Sequence, residues 1–174
     1  MEVRSIEAVV RALNEGGIRY VIVGGLAVNA HGYERLTRDL DLVIGLQPDN
    51  VLRGLRALLA IGYLPSIPVT PDQFSDAALR ETWRREKSML VLKLWSDIHR
   101  RTPLDVFVYE PFDFENEYAK AERMEVAPGL AAPFVTLGTL LAMKRQAARP
   151  QDLMDIAALE EANKMREAAP DEQS

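Results

Sequence analysis

Ile6, Val9, Val10 and Leu13 recur at the spacing of one helix face, and Gly16-Gly17 follows them as a helix stop. The pattern predicts an opening amphipathic helix. Tyr20-Val21-Ile22-Val23 is a short β-branched run that reads as a buried strand. Gly24-Gly25 ends it, and Leu26-Ala27-Val28-Asn29-Ala30 starts a second helix. From Thr37 to Ile44 the pattern alternates, with Leu40, Leu42 and Ile44 on one side and Asp39, Asp41 and Val43 on the other. Pro48-Asp49 then opens a helix with Val51, Leu52, Leu55, Leu58 and Leu59 inward and Gly62 as its stop.

Pro65, Pro68 and Pro71 confine residues 63–71 to loop or sheet edge. Asp72 to Glu86 reads as helix, with Phe74, Leu79 and Trp83 expected inside. Met89–Trp95 and Thr102–Tyr109 read as strands joined by 96–101, and Glu122–Ala127 as one more strand. The charge-free stretch from Val126 to Met143 matches a membrane span in length. Pro128, Gly129, Pro133 and Gly138 would break a lipid-facing helix, so it reads instead as strand, turn and buried helix. Thr136 is a natural cap for a helix through Leu137, Leu140, Leu141 and Lys144, and a last helix from Pro150 is expected to bury Leu153, Ile156, Ala157 and Leu159. This order predicts an α+β fold: a mixed sheet flanked by helices, with a C-terminal helical pair. A single domain over 1–163 follows, its core at 5–110 and its C-terminal strand and helices at 120–163, with 164–174 as a flexible tail.

The chain has 174 residues, no cysteine and two histidines, which excludes a disulfide scaffold, thiolate metal sites and a cysteine nucleophile. Charges early in the N-terminus interrupt any signal-peptide core, so a soluble cytoplasmic protein is expected. The net charge of −5 is uneven. Between Arg80 and Arg101, seven basic residues face three acidic ones, which suits either a solvated helix face or a phosphate-facing surface.

A strand running into Gly24-Gly25 and a helix exposes backbone N–H groups where a phosphate could approach, although most such pairs are plain turns. Asp39 and Asp41, two apart on a strand, share a face. At a separation of about 5 Å and an effective dielectric of about 20 they repel by roughly 3 kcal/mol. A solvent-exposed edge strand would tolerate that; otherwise Mg²⁺ is the natural counter-ion, since it joins one or two carboxylates to substrate phosphates. Asp105 interrupts the apolar run Leu104-Asp105-Val106-Phe107-Val108 and is costly to bury unpaired. If its strand lies beside that of Asp39 and Asp41, three carboxylates converge and would suit two divalent ions and displacement at phosphorus.

Gly24-Gly25, then Asp39-x-Asp41, then Asp105 on a separate strand resembles the DNA polymerase β-like nucleotidyltransferase superfamily. Arg35-x-Thr37-x-Asp39-x-Asp41 resembles its small bacterial branch of minimal nucleotidyltransferases and abortive-infection type toxins, and Lys144, Arg149, Asp152 and Asp155 match that branch's C-terminal motif in order. The resemblance implies transfer of a nucleoside monophosphate from a nucleoside triphosphate to a hydroxyl, with release of pyrophosphate. It implies that Gly24 and Gly25 seat the triphosphate. Asp39, Asp41 and Asp105 would hold two Mg²⁺ or Mn²⁺ ions, with Asp105 a candidate base. Arg35 and Thr37 would order the loop or meet phosphate, and Lys144 would neutralise the leaving group. Arg149 and Asp152 would complete the nucleotide side, Asp152 and Asp155 orienting Lys144 or Arg149; a surface salt-bridge cluster is the competing reading of that group. The expected acceptor is tRNA, protein or a small molecule, and the expected partner an antitoxin or a second copy of the chain.

Three other readings compete: an antibiotic-modifying nucleotidyltransferase, a catalytically silent nucleotide-binding module, and a nucleic-acid polymerase. The short chain and negative charge disfavour the last. His31 and His99 read as turn or packing residues, and Trp83, Trp95 and Phe74 as core.

Overall fold

A computed structural model describes residues 1–168. The first half comprises α1 (Val3–Glu15), β1 (Tyr20–Val23), α2 (Gly24–Ala30), β2 (Leu40–Ile44), α3 (Pro48–Ala60) and β3 (Leu64–Pro65). Then come α4 (Pro71–Ser75), α5 (Ala77–Lys87), β4 (Val91–Trp95), β5 (Leu104–Phe107) and α6 (Phe114–Lys120). The chain continues through β6 (Glu122–Ala127), β7 (Leu130–Phe134), α7 (Leu137–Ala147) and α8 (Pro150–Ala168). The strands form one seven-stranded sheet in the order β3-β4-β5-β2-β1-β7-β6. β2 runs antiparallel to β1 and parallel to β5, and β7 runs parallel to β1, so the sheet is mixed as expected.

Strand alternation gives the sheet two unlike faces. Leu40, Leu42 and Ile44 are fully buried, as are Leu92, Leu94, Leu104 and Val106 on the neighbouring strands. Gly54 on α3 lies against Ile18 and Ile44, close enough that a methyl group would press on both, so α3 seats directly on this face. α1 packs against α3 and β7. The opposite face is covered over β1 and β2, where Val21, Val23 and Val43 are buried, and open beyond them, where Asp41, Lys93, Trp95, Asp105 and Phe107 are exposed or half-buried. An open polar face on an otherwise well-packed sheet is where chemistry can be placed.

Several expectations need correction. Asp72 to Glu86 is not one helix. A Thr70–Gln73 capping box starts α4, and Asp76 breaks the run by accepting hydrogen bonds from the Ala78 and Leu79 N–H groups as the cap of α5. The break resets the helical phase. Phe74 is buried, but Arg80 rather than Leu79 turns inward, its guanidinium donating to the Phe74 carbonyl, and Trp83 is half-buried against Phe74. The stretch after Val126 contains a second strand, β7, which hairpins onto β6 around Gly129 at φ 72°. α6, capped by Asp113, is a helix that the apolar pattern does not predict. On α8, Leu153 is 57% exposed and Ala157 is exposed, while Asp155 and Leu159 take the inward positions. Trp95, expected in the core, is 45% exposed.

α8 continues through residues 164–168, where a tail was expected; residues 169–174 lie outside the described residues. Among the described residues, no helix is long and apolar enough to cross a membrane.

The β1–β2 pairing that carries the site is held at its far end by Asn50. Its side chain accepts from the Arg19 N–H at 2.9 Å and donates to the carbonyls of Arg19 (3.0 Å) and Gly45 (2.8 Å). Asn50→Ala leaves the Arg19 N–H and the Gly45 carbonyl unpartnered, while the Arg19 carbonyl keeps the Gly45 N–H, and a loss of about 1–3 kcal/mol is expected. Urea titration should show a lower midpoint with an unchanged slope.

Candidate active site

The turn from β1 into α2 is shaped around two side chains. Gly24 has φ +66°, and a Cβ there would collide with the carboxylate of Asp41. A Cβ at Gly25 would collide with the Thr37 hydroxyl. The glycines therefore let the β2 acid and the preceding loop close onto the start of α2. Val23 and Asp41 are register partners, which fixes that approach. The space at Gly24-Gly25, expected to admit a phosphate, is shared with Asp41 and Thr37.

Asp41 is in turn the register partner of Asp105 on the parallel strand β5, and Asp105 of Lys93 on β4. Lys93, Asp105 and Asp41 thus form a row on the open face. Asp39 lies just before β2 rather than within it, close enough for its charge to act on both acids. Burial pushes Asp41 up to about 7, reinforced by the negative charges of Asp105 and Asp39; a hydrogen bond from the Gly25 backbone and the charge of Lys144 oppose this. Burial also raises Asp105; Lys93, with Nζ 3.8 Å from Oδ2, pulls it down, and Asp39 pushes it up. Asp41 and Asp105 are thus neighbours across β2 and β5, with Asp39 just outside the pair. Among the described residues, however, no three His, Cys, Asp or Glu side chains form a cage that would hold a metal ion unaided.

A second cluster ties the C-terminal helices to this turn. Arg35 grips Asp155 with two parallel hydrogen bonds, Nε to Oδ1 at 2.6 Å and a terminal nitrogen to Oδ2 at 2.8 Å. Lys144 Nζ lies 2.6 Å from Asp155 and 3.1 Å from Asp152. Gln151 also donates to Asp155. Asp155 is fully buried, which alone would raise it, but the hydrogen bonds from Arg35, Lys144 and Gln151 outweigh burial and hold it below the usual carboxylate range. Arg149 is mostly exposed, its side chain 3.5 Å from Asp152 and its backbone N–H bonded to the same carboxylate. The cluster is an interior clamp rather than a surface salt-bridge group.

Asn29, Gln151 and Lys93, outside the motifs, also belong here. Asn29 accepts from the Arg35 N–H and donates to the Arg35 carbonyl, fixing the loop from which the guanidinium reaches out. Gln151 and Lys93 answer Asp155 and Asp105. Neither the helix-favouring neighbours of Gln151 nor the alternation around Lys93 carried any signal of this. The histidines are structural: His31 Nε2 lies 2.7 Å from the Val135 carbonyl, and His99 bonds Ser5 and stacks on Tyr63 at 5.1 Å.

The two carboxylates predict opposite pH behaviour. Asp155 is held low when folded, so its stabilisation is present above the ordinary carboxylate range and is lost as pH falls through its lowered value. Asp155→Asn should cost about 3–5 kcal/mol at pH 7, because two cations lose a buried partner, and the gap from wild type should narrow toward pH 3. Asp41 is held high, so ionising it costs stability as pH rises from about 4 to about 7. Without divalent metal, Asp41→Asn should raise the melting temperature at pH 8 by at least roughly 2–4 °C, the effect of about 1 kcal/mol at this length. At pH 4 it should change little. Thermal melts across pH check both.

No protein-family model matches the chain, and no curated protein does. A structural match is found with the crystal structure of the lincosamide antibiotic adenylyltransferase LnuA bound to lincomycin, at a TM-score of 0.55 and 16% identity. The match covers 85% of this chain and 89% of that one. This chain thus has the α+β nucleotidyltransferase fold expected from its motifs: a mixed sheet flanked by helices.

Proposed function

We infer that the protein transfers a nucleoside monophosphate from a nucleoside triphosphate to a hydroxyl acceptor, releasing pyrophosphate. The observation that carries this is the register of Asp41 and Asp105 on adjacent strands, with Asp41 drawn under Gly24. The likeness to an adenylyltransferase fold supports it. In the reaction, the acceptor oxygen forms a bond to the α-phosphorus while the bond to pyrophosphate breaks, and the hydroxyl proton leaves to a base.

Asp39, Asp41 and Asp105 are hard oxygen donors gathered where negative charge is already in excess, and this fits Mg²⁺ or Mn²⁺. Such an ion needs only one or two carboxylates when phosphates and water complete its shell, so the lack of a closed protein cage is no obstacle. Bound there, two ions would supply polarisation of the phosphate oxygens and offset the repulsion among the acids. Asp105, raised by burial and facing the open side, is placed to take the acceptor proton. Lys144 is buried and committed to Asp152 and Asp155, so it acts as a fixed positive charge behind Asp41. Arg149, exposed at the same cluster, is the more mobile cation to meet a triphosphate. Arg35 holds the loop rather than the substrate.

An antibiotic-modifying role, with a small-molecule acceptor, draws support from the lincomycin-bound neighbour. The toxin role, with tRNA or protein as acceptor and an antitoxin or second copy as partner, rests on the motif resemblance alone. A silent nucleotide-binding module is disfavoured by Asp41 and Asp105 kept in register, with Asp39 beside them, at a cost to stability.

Replacing Asp39 and Asp41 together with Asn should lower Mg²⁺-dependent transfer from α-labelled nucleotide by more than about a hundredfold. Chelation of the metal should do the same to wild type. Retained transfer in the double variant would place the reaction elsewhere.

A further inference from the structure

The open face continues past the acids onto strands that the donor side does not use. Trp95 on β4 pairs with Leu64 on β3, one step beyond the Leu94–Leu104 pair. Alternation puts Trp95 and Leu64 on the face of Lys93 and Asp105. They are 45% and 49% exposed, whereas Leu94 on the other face is fully buried. Trp95 is the diagonal cross-strand neighbour of Asp105, a spacing of roughly 7–8 Å that an aromatic side chain spans. Scattered exposed apolar residues are ordinary, but here an exposed Trp and an exposed Leu adjoin across β3 and β4 beside the Asp105 carboxylate.

Direction and charge narrow what it takes. Gly24-Gly25 follow β1, and α7 with Lys144 packs on α2, on one side of the acids, whereas β4 and β3 lie on the other. In-line displacement brings the entering oxygen opposite the departing pyrophosphate. With the triphosphate on the glycine side, the acceptor enters over β4 and β3. The cations nearby are already engaged: Lys93 with Asp105 (3.8 Å), Arg100 with Asp97 (3.1 Å), Arg101 with Glu2 (3.9 Å) and Arg84 with Glu81 (3.6 Å). These pairs offset much of the local positive charge, leaving Arg85 and Lys87 on α5 as the exposed cations of 80–101 without a carboxylate partner among the described residues.

We propose that Trp95 and Leu64 form the acceptor subsite, seating the apolar ring face of a small, non-phosphorylated molecule whose hydroxyl meets Asp105. This rests on the nucleotidyl-transfer reading above. The acceptor oxygen bonds to the α-phosphorus of the triphosphate, pyrophosphate leaves, and the proton passes to the Asp105 carboxylate.

The chain has two tryptophans, so a Trp83→Phe protein reports Trp95 fluorescence alone. It is titrated, without nucleotide, with lincomycin, phenyl β-D-glucoside and a 12-nucleotide single-stranded RNA. A saturable change with either ring compound is expected. Calorimetry should show that binding roughly tenfold weaker in Trp95→Ala and largely restored in Trp95→Phe. Binding of a non-hydrolysable ATP analogue with Mg²⁺ should be the same in wild type and Trp95→Ala, which also verifies folding. A response to RNA alone, or to none of the three, overturns the proposal, as does loss of analogue binding in Trp95→Ala, which would give the shelf to the donor. If wild type fails to bind the analogue, the transferase reading falls, whereas the ring titration still decides the shelf.

Discussion

The packing of Asp41 against Gly24 is the constraint on which the site depends. A carboxylate on β2 can lie at the start of α2 only because the residue there has no Cβ and takes a positive φ. The same placement takes the acid partly out of water and sets it beside Asp105 and near Asp39, so its ionisation is penalised from three directions. A fold that holds such a group gains nothing in stability from it. The arrangement makes physical sense where a cation and an anionic phosphate arrive together and turn the crowded charge into an attraction.

The second cluster gives the first its rigidity. Arg35 leaves a loop whose backbone Asn29 holds on both sides, and it meets a buried Asp155 that Lys144 also holds. Through this ion network, α7 and α8 are tied to the segment between α2 and β2, which delivers Thr37, Asp39 and Asp41. A buried network of this kind adds little net stability, yet removing one member is costly because the others are left charged and unpaired. It fixes geometry more than it lowers free energy. Lys144, whose charge reaches Asp41, belongs to both clusters.

Much of this could be read in the chain. The apolar periodicity locates α1, β1, α3 and the central strands, and the acids at 39, 41 and 105 mark the candidate site because a carboxylate in an apolar run demands a partner. The failures have physical causes. Asp76 capped a helix in the middle of a continuous pattern, turning Arg80 inward in place of Leu79. α8 spends its inward face on Asp155, so its apolar residues Leu153 and Ala157 face outward, a reversal that depends on Arg35 some 120 positions away. Trp95 alternates like a core residue, but the sheet face it occupies is uncovered. Periodicity reports which residues share a face, not whether another element covers it.

Electron paramagnetic resonance of Mn²⁺ reads the metal at these carboxylates and needs no acceptor. With a non-hydrolysable nucleotide triphosphate analogue present, the wild-type protein should bind Mn²⁺ and broaden its spectrum beyond that of the nucleotide complex alone, and an Asp41→Asn, Asp105→Asn variant should not. An identical spectrum from the two proteins would show that these carboxylates hold no metal and would contradict the account.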